Sequence, residues 1–351
     1  MSLTLIAVVL LVGVLGVGVL GVWLIVHFHN WVLDLVGIFV IFIAIALRPR
    51  FGRLGKYVER VDPADLPALN RLLRDVVAAT NAKMPHTLVF SDDFNASSGS
   101  YGLRRRRVLT IGLPLWLSLT SQERVSLLGH EVGHFVNGDV RRGPLTRFAF
   151  EVLHNLVTIT TPASGRSRYT RSGIGPTPIM GDAGLSVIGD LVSRWFLWVF
   201  SAFFSICALL VDWLGSRASH HAEYAADGAA VRVGGSAATI SMLDTLMQSA
   251  SCGTVLRRSL RSEPSPEVWR REVLAGRRGL DGHRATLRQL SMRDEASLFR
   301  SHPPTGLRAR LVESRPQADP AVVLTEADDV AIDRELAERY RAMRATIANS
   351  H

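Results

Sequence analysis

Residues 120–134 read TSQERVSLLGHEVGH, and the fold turns on them. Thr120 with Glu123 three positions later is a capping-box start, able to satisfy backbone N–H groups that a first helical turn leaves free. An amphipathic helix is therefore expected to open here and run through the HExxH pattern His130-Glu131-Val132-Gly133-His134. Residues four apart on a helix share a face, so His130 and His134 can grip one metal ion. Imidazole nitrogen suits zinc. Glu131, next to His130, can face a water held by the ion and take its proton as that water attacks a peptide carbonyl. A turn and a half thus delivers two ligands and a general base.

A catalytic zinc needs a third protein ligand and one open position. The best candidate lies in Glu223-Tyr224-Ala225-Ala226-Asp227. Glu223 would ligate, and Asp227, four residues on, would accept a hydrogen bond from a ligand histidine and orient its ring. Rivals stand beside it. His220 and His221 lie just upstream, and Asp281 in Leu280-Asp281-Gly282 resembles the second metal motif of intramembrane site-2-type proteases. Arg277, Arg278 and Arg284 surround that second motif, which reads as a surface turn.

Outward from these motifs, the 351 residues are 48% hydrophobic and 20% charged, with a mean hydropathy of +0.20. That is too apolar for an average soluble domain and too polar for a pure membrane bundle, so a few membrane segments with a water-facing domain are expected. Residues 4–26 hold no charge and are long enough to cross a bilayer. They lack a basic leader, and a second apolar run, Trp31 to Leu47, follows at once, so a helical hairpin is predicted rather than a signal peptide. Arg48, Arg50, Arg53, Lys56 and Arg60 come next, and the positive-inside rule places that flank in the cytoplasm. A second hydrophobic region covers 146–212. Its stronger part is Trp195 to Val211 and its weaker part Phe148 to Thr161, on either side of a Gly/Pro/Ser/Arg-rich loop at 163–183. The chain thus divides into an amino-terminal hairpin (1–50), a first catalytic part (51–145), a second hydrophobic hairpin (146–212), a second catalytic part (213–314) and a carboxy-terminal helix and tail (315–351).

The formal net charge of +9 fits basic faces beside anionic lipid. No nucleic-acid-binding pattern is present, and no nucleic-acid partner is expected. Two cysteines, Cys207 and Cys252, indicate neither a disulfide framework nor a Cys-rich zinc site. Leu69, Leu72, Leu73, Val76 and Val77 form a helical stripe. Thr87 to Phe90 and Val108 to Ile111 read as short strands. Arg104 to Arg107 mark a hairpin tip, either a solvated turn or a contact with lipid headgroups. A last helix is expected over about 325–347.

Several motifs together resemble the HtpX-like and CAAX-prenyl-protease-like membrane zinc peptidases. Asn95-Ala96-Ser97-Ser98-Gly99 is similar to the family's edge strand, and Leu109 through Leu119 to the strand and loop leading into the metal helix. HEVGH is followed by Asn137-Gly138-Asp139, Glu223 through Asp227 by Gly228-Ala229-Ala230, and Ser301-His302-Pro303-Pro304 by Arg308. The resemblance covers about residues 57 to 312. It implies that His130, His134 and Glu223 bind one Zn2+ per chain, that Glu131 is the base, and that Asp227 and Asp139 support the ligands. It implies that His302 and Arg308 stabilise the transition state or the site around it. Asn95 and Ala96 would hold substrate as an added β-strand. His221 stands where relatives often carry Arg.

The architecture expected is mostly α, with membrane helices and a gluzincin-type zinc peptidase domain containing a small antiparallel β-sheet. The activity expected is zinc-dependent endopeptidase cleavage of protein or peptide substrates, with misfolded membrane proteins among them. The expected location is the cell membrane, multi-pass, in contact with the bilayer and with the catalytic domain facing the cytoplasm. The alternative is a catalytically silent membrane scaffold that keeps the fold.

Overall fold

The computed structural model describes residues 2–28, 30–48, 59–102, 104–136, 144–160, 183–262, 264–294 and 302–349. In chain order its elements begin with helices α1 (Ser2–Phe28), α2 (Trp31–Ala46) and α3 (Pro67–Thr80), then strands β1 (Thr87–Ser91), β2 (Ala96–Tyr101) and β3 (Arg106–Gly112). There follow α4 (Leu113–Leu117), α5 (Ser121–Val136), α6 (Pro144–Thr160) and α7 (Ala183–Gly234). The remainder is α8 (Ser236–Met247), α9 (Ser249–Ser262), α10 (Pro266–Arg278), α11 (Arg284–Asp294), α12 (Thr305–Glu313), α13 (Glu326–Glu335) and α14 (Ala337–Asn349). They fall into two compact units, residues 1–50 with 143–215, and 51–142 with 216–351. The expected loop at 163–183 lies, but for its last residue, outside the described residues, and Asp139 lies outside them too.

In the first unit α1 and α2 pack as the predicted hairpin. Asn30 starts α2, its side chain accepting from the Val32 N–H at 2.9 Å, which satisfies one of the helix's free donors. α6 joins through Phe148 and Val152, which cluster with Leu47 and with Leu10, Leu11 and Val14. By length and composition Leu5–Phe28 and Ser201–Gly234 suffice to cross a membrane, and Trp31–Ala46 is apolar but shorter. Only 11% of the first stretch is buried, unlike the core helix of a water-soluble domain. Leu5, Val9, Val12, Phe39 and Phe42 are all exposed.

The second unit builds its core around α3, the sheet and α5. Leu69, Leu72, Leu73 and Val76 are buried, with Val77 packed against them, so the stripe faces inward as its spacing requires. The sheet order is β1-β3-β2. β2 and β3 form the expected antiparallel hairpin, Ala96 opposite Ile111 and Tyr101 opposite Arg106. β1 adds to β3 in parallel, so the sheet is mixed, where a purely antiparallel one was expected. The carboxy-terminal helix is also not one piece: α13 ends and α14 begins across Leu336.

Charge fixes the start of α5. Glu123 Oε2 accepts the Thr120 N–H at 2.8 Å, the capping contact read from sequence. The same carboxylate is held by Arg277 at 2.6 and 2.7 Å and by the Ser241 hydroxyl. Burial alone would raise the Glu123 carboxyl, but the bond and charge of Arg277, with Ser241 and Thr120, hold it below the usual carboxylate value. One residue on, Arg124 is fully buried, 2.6 Å from Asp329 and 2.9 Å from Asp333. Its guanidinium lies 4.7 Å from the centre of the Trp116 ring, and Arg270 reaches the same two carboxylates.

Two stability measurements follow. Removing one partner from a buried ion pair typically costs about 3–5 kcal/mol. Arg124→Ala is expected to lose that much in urea unfolding, while Arg71→Ala, whose pair with Asp328 is exposed and 3.9 Å long, stays within about 1 kcal/mol. Because the folded Glu123 value lies below the unfolded one, its contribution is present at neutral pH and lost as pH falls through the carboxylate range. Glu123→Gln should therefore be less stable than wild type at pH 7 and show a shallower loss on acidification. An unchanged acid limb would show that this carboxylate does not govern it.

Candidate metal centre

The centre forms where α5 crosses the part of α7 that follows Ser216. α5 puts Gly129 and Gly133 on the face that meets Ala226, Ala229 and Ala230 of α7. A Cβ on Gly133 would lie 2.8 Å from the Ala229 Cβ and 3.1 Å from the Ala226 Cα, and one on Gly129 would lie 3.1 Å from the Ala230 Cα. These are shorter than the roughly 3.5–4.0 Å of relaxed carbon contacts, so only glycine allows so close an approach.

That approach sets His130 and His134 opposite Glu223. His130 Nε2 lies 3.5 Å from Glu223 Oε2, and His134 Nε2 lies 3.5 Å from Glu223 Oε1. The two imidazoles are edge to face with centres 4.9 Å apart. One potential ligand atom from each of the three residues falls within 4.8 Å of the others, and all three residues are buried. Two imidazoles and a carboxylate converging in this way fit a zinc ion with a further position left for water or substrate. Glu131 is buried beside them, and its Oε2 has no hydrogen-bond partner among the described residues. A buried carboxylate oxygen left in that state is costly unless something polar is delivered to it, as a bound water or substrate would be.

An outer layer of charge supports the three. Asp227 Oδ1 lies 3.1 Å from His130 Nδ1. Arg308 of α12 grips Asp227 with two bonds, Nε to Oδ2 at 2.8 Å and Nη2 to Oδ1 at 2.6 Å, and its Nη1 lies 3.2 Å from Glu223 Oε2. Burial by itself would lower the His130 imidazolium, but its bonds to Asp227 and Glu223 outweigh that and push it up to about 9. The surroundings of His130 therefore favour positive charge on its ring.

The residues singled out from sequence are placed as follows. His302 is 59% exposed at the rim, with Nδ1 2.8 Å from Glu223 Oε1. Arg308 is buried and committed to Asp227 and Glu223, so it holds ligand-side carboxylates and does not face open solvent. Asn95 immediately precedes β2 and Ala96 opens it, and the strand packs beside α5. The Asn95 carbonyl accepts the Gly112 N–H at 2.8 Å, and its side chain accepts the Ala96 N–H at 2.9 Å. Of the rival ligands, His221 is exposed and His220 half-buried, and neither belongs to the converging set. Asp281 sits exposed in a single 3-10 turn, paired with Arg284 at 2.7 Å. The small-residue seam went unread in the sequence. Its signal was there: Gly129 and Gly133, four apart, answered by Ala226 and Ala230, four apart.

Residues 63–315 match the family model Peptidase family M48, and the chain belongs to that family of metallopeptidases. No curated protein and no solved structure matches the chain.

The seam makes its own test. Overpacking a tight core contact typically costs about 1–3 kcal/mol, and here the strain separates the histidines from Glu223. Gly133→Ala should weaken zinc uptake by about tenfold or more, a factor equal to about 1.4 kcal/mol, in competition against a chromogenic chelator. Gly228→Ala, where an added Cβ meets nothing within 4 Å, should bind zinc as the wild type does. Equal affinities in the two variants would refute the seam as the device that sets ligand spacing.

Proposed function

We propose that this M48 metallopeptidase is a zinc-dependent endopeptidase anchored in a membrane, cleaving protein or peptide substrates on the cytoplasmic side. The observation that carries the reading is the convergence of His130, His134 and Glu223 within 4.8 Å, with an unpartnered oxygen of Glu131 buried alongside. Zinc, when bound by these three, supplies a Lewis acid that makes water a nucleophile near neutral pH and polarises a carbonyl.

The remaining work falls to the chain's own residues. Glu131 takes the proton of the attacking water and returns it to the leaving amine. Asp227, itself fixed by Arg308, holds the His130 ring through Nδ1 and so keeps Nε2 directed at the centre. His302, at the rim, can donate to the oxyanion that develops on the carbonyl. β2 is an outer strand, and a substrate added along it in extended form gains main-chain hydrogen bonds with little dependence on sequence. Ala96 begins that strand and Asn95 directly precedes it. The hairpin of 1–50 and the apolar region 146–212 are the membrane segments of this reading. Ser216, Ser219, Glu223 and Asp227 of α7 are buried, so the span belongs to the part of α7 that precedes them. Arg48 and the basic residues after it keep their flank in the cytoplasm.

Glu131→Gln should retain stoichiometric zinc and lose casein hydrolysis in detergent, because an amide cannot accept the water's proton. Turnover within about tenfold of wild type would remove Glu131 as the base. Glu223→Ala should strip the metal while Asp281→Ala keeps it; the reverse result would move the third ligand to the exposed turn.

A further inference from the structure

The hairpin of β2 and β3 carries a charge pattern that the metal centre does not use. β2 is the outer strand, and among the described residues no strand pairs with its open edge. Ala96, Ser97, Ser98, Gly99 and Ser100 are all small, so its backbone can be approached closely while its side chains discriminate little. The strand ends at Tyr101, and the turn beyond it brings Arg104, Arg105 and Arg106 together. All three are exposed, and among the described residues none forms an ion pair. Arg107 differs: its Nε donates to the Met84 carbonyl at 2.9 Å, and its backbone N–H to His86 Nδ1 at 3.1 Å. Arg60 adds a fifth cation, its guanidinium 5.7 Å from the centre of the Tyr101 ring. The excess is felt at His86, whose imidazole is pushed below its usual value by burial and then by repulsion from Arg107 and Arg106.

Like charges crowded at one end of a strand repel one another, and an acidic partner relieves that repulsion. Five residue steps separate Ala96 from Tyr101, about 17 Å along an extended strand. A peptide added to β2 would bring to the tip a residue about five or six positions from the one facing Ala96. Resting on the reading of β2 as the substrate strand, we infer that Arg104, Arg105 and Arg106 select substrates with acidic residues several positions from the scissile bond, on the side toward the hairpin tip. The backbone edge then supplies affinity without sequence preference, and the tip supplies a charge preference at a distance.

The test uses the full-length protein in neutral detergent and quenched fluorescent peptides that share one cleavable core. The peptides carry three Glu, three Ser or three Lys at that distance, on either the amino or the carboxyl side. Exposed ion pairs are weak singly, so a several-fold advantage in kcat/KM of Glu over Lys is expected on one side only. It should vanish near 1 M salt, where the screening length is about 3 Å, and reverse in Arg104→Glu/Arg105→Glu/Arg106→Glu. Arg107 is left intact because it is tied to Met84. Binding of the same peptides to Glu131→Gln, followed by fluorescence anisotropy, separates this inference from the peptidase reading. A Glu preference in binding with no cleavage by wild type would refute hydrolysis and support the tip. Equal cleavage of Glu and Lys peptides, a preference that survives in the triple variant, or no charge-dependent binding at all would overturn the tip's role. A triple variant altered only in its response to phosphatidylglycerol over phosphatidylcholine nanodiscs would assign the arginines to lipid headgroups, and overturn it as well.

Discussion

Everything at the candidate metal centre depends on how closely α5 and α7 can approach. His130 and His134 are presented by one helix and Glu223 by another, and a carboxylate reaches only a few ångströms from its backbone. The helices therefore have to touch backbone to backbone, and Gly129 and Gly133 against Ala226, Ala229 and Ala230 permit that. Larger side chains at those positions would set the helices at an ordinary packing distance of about 8–10 Å and leave the imidazoles facing a gap. Ligand identity is thus only half of the site. The other half is a strip of residues that carry no chemistry and serve by being small.

Close approach brings a second problem, since it buries Glu131, Glu223, Asp227 and Arg308 in one place. Buried charge is tolerated when it is paired and hydrogen-bonded. Arg308 meets that need by gripping both oxygens of Asp227 and contacting Glu223. Its planar fork suits two carboxylates at once in a way that a lysine could not match. Buried oxygens of both Glu131 and Glu223 are left without a hydrogen bond among the described residues, but Glu223 has the charge of Arg308 at 3.2 Å beside it.

Local features of this fold were legible in the sequence and long-range ones were less so. The Thr120–Glu123 cap and the spacing of His130 and His134 involve residues within a turn or two of one another, where helical periodicity fixes geometry. The Glu223–Asp227 spacing is also local, but such a pair is common on exposed helices, and only the resemblance singled Glu223 out; its convergence with the two histidines is a long-range feature. The orientation of β1 was not, since a strand of five residues looks the same whether its neighbour runs parallel or antiparallel, and pairing with β3 decides it. The continuity of α7 was hidden too. An apolar stretch followed by a polar, Ala-rich one reads as two segments, yet no proline lies between Val211 and Ser216, and the helix runs on through Gly215. The last helix reads as one in sequence, and across Leu336 the backbone keeps its helical bonds, Leu336 N–H to the Ile332 carbonyl and Tyr340 N–H to the Leu336 carbonyl.

The chain beyond the family-matched residues 63–315 holds the start of α5 in place. Gln122 donates to the Gly234 carbonyl at the end of α7 at 3.1 Å and to the Val322 carbonyl at 2.8 Å. The Val322 N–H in turn donates to the Val233 carbonyl at 3.0 Å. Asp329 binds Ser121 and Arg124 at the start of α5, and Glu335 accepts the Ala68 and Leu69 N–H groups at the start of α3. The segment therefore ties the first turn of the metal helix to the last turn of the helix that carries Glu223. The glycine seam governs how near the two helices come at their crossing, and this strap governs how they are held at the end. Two helices in contact at one point can still rotate about it. Pinned at a second, they hold His130, His134 and Glu223 in a single geometry.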